Sequence, residues 1–195
     1  MRKQTIPVEQ LSEERRQLFD ILNQESDLAC VVIGAAFLDT ALTSLLSHKL
    51  IASSVSEKLL APSGLLGSCG ARADLAYCLS LIKKNHYEDI CVVGEIRNQF
   101  AHSHLKLSFQ DGKIRELCDR LNEWRIAPFC KEMEVADLTK TQFGARARNQ
   151  FNLSVTFLTS WLLIDSLSLK TQASSQQAAV EDSLVDQKKN EKVKT

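Results

Sequence analysis

The sequence is short of the residues that interrupt or cross-link a chain. Only 3 Pro and 7 Gly fall within 195 residues, and aromatic residues make up 6%. That is too little punctuation for a strand-rich domain with a turn every ten residues, and the many Leu and Ala favour helix. Net charge is absent too, with 24 Lys+Arg against 24 Asp+Glu. A surface that neutralises several phosphates carries an excess of cations, so tight, direct, sequence-specific DNA binding starts at a disadvantage, although a local basic patch remains compatible with the balance. The last 25 residues do not create this neutrality: Glu181, Asp182, Asp186 and Glu191 offset Lys188, Lys189, Lys192 and Lys194.

Metal and disulfide chemistry lack their usual spacing. Cys30, Cys69, Cys78, Cys91, Cys118 and Cys130 contain no Cys-x-x-Cys pair, so neither a zinc site nor a thioredoxin-type centre is expected, and no cofactor is expected. The N-terminal MRKQTIPVEQLSEERR has no apolar h-region. The expected setting is therefore a reducing cytoplasm with mostly buried, free thiols. The longest uncharged apolar stretch, Leu28 to Leu38, lies between Asp27 and Asp39. Its 11 residues are too few to span a bilayer.

What is present is helical periodicity. Ser12, Glu13 and Glu14 followed by Leu18, Phe19, Ile21 and Leu22 read as a capped amphipathic helix over 12–24. A second helix over 27–50 opens with LACVVIGAAFL, apolar all round, the pattern of a central helix surrounded by others. A short helix over 54–60 precedes a loop carrying Pro62, Gly64, Gly67 and Gly70, and 70–83 is the next helix. Asn85 with Glu88 forms a capping-box pattern opening 86–102. Asp111 caps a helix whose Ile114, Leu117, Cys118 and Leu121 make a narrow apolar stripe. Residues 123–143, with Trp124, Pro128 and Phe129, read as an irregular connection, and the last helix covers 144–169. The expected architecture is an all-α, single-domain bundle of six to seven helices over 1–170, followed by a disordered polar tail over 171–195.

On a helical wheel for 86–102, Ile90, Val93, Gly94, Phe100 and Ala101 define an apolar face centred at about 320°, with Arg97 at about 340°. A guanidinium there cannot lose its charge, so it must be paired or hold an anion. Arg72 sits in a similar position beside Leu79 and Ala76, and Asp39 is the acid in the apolar second helix. One reading is a buried network of Asp39, Arg72 and Arg97 that fixes how three helices meet. The other gives one of these arginines a phosphate or carboxylate ligand.

The run Arg97-Asn98-Gln99-Phe100-Ala101-His102 resembles the R-x4-6-H motif of the HEPN superfamily. That resemblance implies a metal-independent endoribonuclease, or an inactive relative, in which His102 shuttles a proton, Arg97 holds phosphate and Asn98 accompanies them as the polar residue after the arginine. A broader likeness is carried by several blocks in one order: Ile33-x-Ala35-Ala36-Phe37-Leu38-Asp39, Gly64-Leu65-Leu66-Gly67-Ser68, Ala71-Arg72-x-x-Leu75-Ala76-Tyr77, Ile96-Arg97-Asn98-x-Phe100-Ala101-His102 and Leu107-Ser108-Phe109. Together they resemble the mannitol operon repressor family of bacterial regulators over 28–125, with weaker similarity out to 169. This resemblance implies an all-α fold and transcriptional control of sugar-alcohol uptake genes. No basic recognition helix accompanies it, because KIRELCDRLNEWR alternates acids with bases. The expected role is therefore a regulator or co-repressor working through a protein partner such as a DNA-binding regulator, and self-associating as a homodimer.

Overall fold

Three serines set the starts of three helices. In the computed structural model, Ser26 accepts a hydrogen bond from the Ala29 amide at 3.3 Å, Ser53 from Ser56 at 3.3 Å and Ser68 from Ala71 at 3.2 Å, each satisfying an amide that the first helical turn leaves unpaired. The structure describes the backbone of residues 8–102, 107–125 and 143–192, and the side chains of 13, 15–102, 107–125 and 146–172. Within these residues the chain forms seven α-helices and no strand: α1 Val8–Gln24, α2 Asp27–Lys49, α3 Ser54–Leu60, α4 Cys69–Cys78, α5 Lys84–His102, α6 Gly112–Arg120 and α7 Phe143–Lys192. The connection expected over 123–143 begins with a 3-10 turn at 123–125; its remainder, with Pro128, Phe129 and Cys130, lies outside the described residues.

Three helix starts differ from the sequence reading. Helix α1 begins at Val8, so Ser12 lies inside it and does not cap. Helix α5 begins at Lys84, so Asn85 is inside it and does not cap; its Nδ2 instead donates to Glu123 Oε1 at 2.7 Å. Asp111 stands at the N-cap of α6 but its carboxylate accepts no hydrogen bond from the helix amides, because Oδ2 instead accepts from the Ser108 amide at 2.7 Å and hydroxyl at 3.1 Å. The Asn85 and Asp111 side chains found tertiary or turn partners that outcompeted the local cap.

The centre of the bundle is α7 rather than α2. Nine consecutive residues, Phe151–Thr159, are buried, so this helix is enclosed on all sides. Its largest interface is with α2, and α1, α5 and α6 also pack on it. Phe151, Val155, Leu158 and Leu162 join Leu38, Leu42, Leu45 and Leu46 of α2, Ile96 and Phe100 of α5, and Ile114 and Leu117 of α6 in one core. Phe100, Phe109 and Phe151 form a chain of tilted rings with centroids 5.8 and 5.5 Å apart, within the separation over which aromatic quadrupoles interact. The apolar stretch that marked α2 as central is only partly covered: Leu28 and Val32 are 51% and 47% exposed. Helices α2 and α7 each have the length and apolar content of a membrane span, and in this fold both are spent on packing against one another. Helical backbone also continues through the segment that composition reads as tail, to Lys192.

Helix α4 closes with a Schellman motif: Leu81 N donates to Ala76 O and Ser80 N to Tyr77 O, both at 2.9 Å. That geometry requires a left-handed residue, and Ser80 supplies it at φ 56°, where glycine is favoured. Ser80→Gly is therefore expected to raise the unfolding free energy by about 1 kcal/mol, measured by urea denaturation. An unchanged or lower midpoint would show that the serine is not strained there.

Candidate functional site

Arg72 is brought to Asp39 by the loop between α3 and α4. A Cβ on Gly64 would fall 2.2 Å from the Lys58 carbonyl oxygen, and one on Gly67 2.3 Å from that of Pro62, so only glycine lets the loop fold back so closely. Ser68 then starts α4, and Arg72 turns inward. Its Nη1 pairs with Asp39 Oδ1, and Nη2 donates to the Leu60 carbonyl at 2.8 Å, at the end of α3. The side chains are 5% and 39% exposed respectively. The guanidinium is thus buried while the carboxylate keeps contact with water, and α2, α3 and α4 meet at this pair.

Arg97 is not part of that network. It is exposed, and its Nη1 donates to Asn98 Oδ1 at 3.1 Å. The buried residues of α5 are His86, Asp89, Ile90, Val92, Val93, Ile96 and Phe100, a face centred at about 280° on the same wheel. Gly94 and Ala101 drew the expected face away from this centre, yet Ala101 is exposed and a Cβ at Gly94 would meet nothing within 4 Å. Both small residues line the solvent flank of the helix rather than its core face. His102 is also exposed and ends α5. The helix is intact from Arg97 to His102, so the two side chains project about 140° apart, and one chain does not bring them onto a shared phosphate.

Two other polar centres escaped the sequence reading. Arg148 of α7 reaches Asp27 Oδ1 at 2.7 Å, and its Nη2 donates to the Leu22 carbonyl at 2.7 Å and to those of Asn23 and Glu25. Asp27 Oδ2 in turn accepts the Phe109 amide at 3.0 Å. Below α5, Asp89 is wholly buried and accepts the Asn122 amide at 2.9 Å, the Asn122 Nδ2 at 2.9 Å and the Glu123 amide at 2.8 Å. Burial outweighs these hydrogen bonds and pushes its carboxyl above the usual range. Next to it, Glu123 Oε1 lies 3.3 Å from His86 Nε2, over which Trp161 stacks. Two carboxylates and a histidine would ordinarily prompt a search for a metal; no group of three or more His, Cys, Asp or Glu among the described residues is placed to hold one.

Helix α6 packs through Ile114, Leu117 and Cys118. On its outer side Arg120 is paired to Glu95 of α5 at 2.7 Å. Its surface mixes signs, as its sequence does. The thiols divide by burial. Cys30, Cys69 and Cys118 are pushed up to about 12 by desolvation, so they stay protonated at neutral pH, whereas Cys78 is exposed.

The profile of a family described as mannitol repressor matches residues 16–159, which run from α1 into the enclosed part of α7. No curated protein matches. Among solved structures, the fold is similar to that of the MtlR–HPr complex from Escherichia coli, with a TM-score of 0.61 and 22% identity over 76% of this chain and 98% of that one. It is likewise similar to a possible transcriptional regulator, YggD, from Shigella flexneri 2a, with a TM-score of 0.60 and 18% identity over the same shares.

Asp39→Ala leaves a buried guanidinium with the Leu60 carbonyl alone and is expected to lower the unfolding free energy by about 3–5 kcal/mol. Arg72→Met leaves a carboxylate that water reaches and costs less. Arg97→Ala should melt within about a degree or two of wild type, and a loss matching that of Asp39→Ala would restore Arg97 to the network. Alkylation by iodoacetamide at pH 7.5, followed by mass spectrometry, should modify Cys78 before the other described cysteines, and Cys30 and Cys118 only after denaturation. Equal labelling in the native state would contradict their burial.

Proposed function

The chain belongs to the mannitol repressor family, and from that premise we propose that it is a cytoplasmic transcriptional regulator or co-repressor of sugar-alcohol uptake genes that acts through protein–protein contacts. The observation that carries this reading is the family match across the helical bundle. The complexed state of the Escherichia coli relative supports a protein partner in general, and its HPr is the first partner to test. The electrostatics support the same mechanism. The charges balance, and α6 presents paired acids and bases, so little free positive field is left to release counterions from a duplex. Apolar side chains are available for association: Leu28 and Val32 stand one helical turn apart on α2, and Ile51 and Leu65 are 84% and 85% exposed at the α3 end. Self-association as a homodimer is part of the proposal, and α2 is the face we assign to it.

Binding is to be measured at about 150 mM salt against the DNA upstream of the chain's own operon and against the HPr of the same cell. The expected result is saturable binding of a protein partner and no sub-micromolar, sequence-specific DNA binding by the isolated chain. Tight specific DNA binding would overturn the indirect mechanism. Leu28→Asp and Val32→Asp, both at exposed positions, should keep the melting temperature while reducing the dimer seen by light scattering. A dimer indifferent to both would place self-association elsewhere.

A further inference from the structure

Acids and one imidazole meet where α5, α7 and the turn after α6 come together. Glu123 is 1% exposed. Its Oε1 accepts from Asn85 Nδ2 at 2.7 Å and lies 3.3 Å from His86 Nε2, while Oε2 is buried with no hydrogen-bond partner. Asp89, wholly buried, holds the same turn from α5 by accepting the Asn122 and Glu123 amides. From α7, Trp161 stacks on the imidazole with ring centroids 6.4 Å apart, and Asp165 interacts with it through charge. Lys83, exposed just before α5, interacts with Asp165 as well. The charged groups around His86 are thus Glu123 on the turn, Asp165 on α7, and Asp89 and Lys83 on the α5 side.

We propose that His86 and Glu123 form a proton-operated latch: with the imidazole protonated the pair holds the turn 122–125 against α5, and with it neutral the turn is released. A buried carboxylate persists only beside a cation or a full set of donors. Glu123 has one donor in Asn85, one oxygen with none, and a second buried carboxylate close by, so the offsetting charge falls to His86. Imidazole is the side chain that ordinarily changes charge near neutral pH. The His86 side chain is 11% exposed, which gives a proton its route from solvent. Loss of that proton leaves Glu123 and Asp89 as neighbouring buried anions, and Glu123 relieves them by reaching water. It does not leave alone, because its amide is bonded to Asp89 and the next one, Trp124 N, to Ser154 Oγ of α7 at 3.1 Å. Asn122, Glu123 and Trp124 therefore move together. Desolvation also raises the Asp89 and Asp165 carboxyls above the usual range. All these groups favour proton uptake by the folded form, so the stability they contribute is present at lower pH and lost as pH rises. The latch goes beyond the regulatory role above and does not depend on it.

The test is hydrogen–deuterium exchange of the full chain from about pH 6 to about pH 9, with each rate corrected for the pH dependence of free amides. Protection of the Asn122, Glu123 and Trp124 amides should fall by up to about tenfold per pH unit, the dependence set by one proton. Leu42 and Leu45 of α2 should still be protected when the turn no longer is, because the opening is local. Glu123→Gln keeps the shape and removes the stranded charge, so its turn should show a level profile. His86→Gln puts a neutral donor in place of the imidazole; it should give a level profile at lower protection, and it serves if Glu123→Gln fails to fold. Unchanged turn protection across the range in wild type would overturn the latch. So would the same fall in Glu123→Gln or in His86→Gln, or a turn that opens only when Leu42 and Leu45 also lose their protection.

Discussion

The fold turns on one guanidinium. Arg148 projects from α7 into the joint between α1 and α2, where it pairs with Asp27 and takes the carbonyls of Leu22, Asn23 and Glu25. A helix end leaves its last carbonyls unpaired, and the start of the next helix favours a negative charge. Arg148 answers the first need directly and the second through Asp27. The other oxygen of Asp27 holds the Phe109 amide, which places Phe109 between Phe100 and Phe151. A single side chain near the start of the central helix thus fixes the α1–α2 corner and, through one carboxylate, the approach to α6. Arginine suits the position because its fork addresses several acceptors at once and it cannot neutralise.

Polar residues within the central helix repeat this logic at lower charge. Asn152 donates to Asn23 Oδ1 at 2.9 Å and accepts from Cys30 Sγ at 3.0 Å; Gln150 donates to Asp119 at 3.1 Å; Ser166 meets Ser44 and His48, both at 2.9 Å. These contacts tie α7 to three other helices, and each satisfies groups that burial would otherwise penalise. A core made only of Leu and Val would hold the same helices together but would define their rotation less strictly.

Much of the architecture was legible in the sequence because it is written locally. The 3.6-residue periodicity of α1 and α6 and the scarcity of Pro and Gly are short-range signals, and short-range physics answers them. The acid in an apolar helix, Asp39, and the arginine that meets it, Arg72, were visible because unpaired charge is intolerable in a core. What stayed hidden depends on several helices at once. Phe151–Thr159 contains Asn, Ser and Thr, so its sequence does not announce a helix enclosed on every side. Arg97 was misplaced because Gly94 and Ala101 are silent about burial, while Asp89, which the wheel leaves out as polar, faces inward to hold the turn at Asn122 and Glu123. Arg148 gave no local signal, since its partners lie more than 120 residues away.

The loop between α3 and α4 constrains the length of the chain as tightly as its composition. Its backbone is hydrogen-bonded to itself, from Gly64 N to Ala61 O at 2.8 Å, Leu66 N to Leu59 O at 2.9 Å and Gly67 N to Gly64 O at 3.0 Å. It is therefore a fitted plug rather than slack between helices. Surface loops generally absorb inserted residues at little cost, but here an extra residue between Gly67 and Arg72 would displace Ser68 from its cap or turn Arg72 by about 100° around the axis of α4. Either change would point the guanidinium away from Asp39. Among relatives that keep this ion pair, the spacing from Gly64 to Arg72 should then be invariant, and length variation should gather at connections whose ends are not held by such a charge.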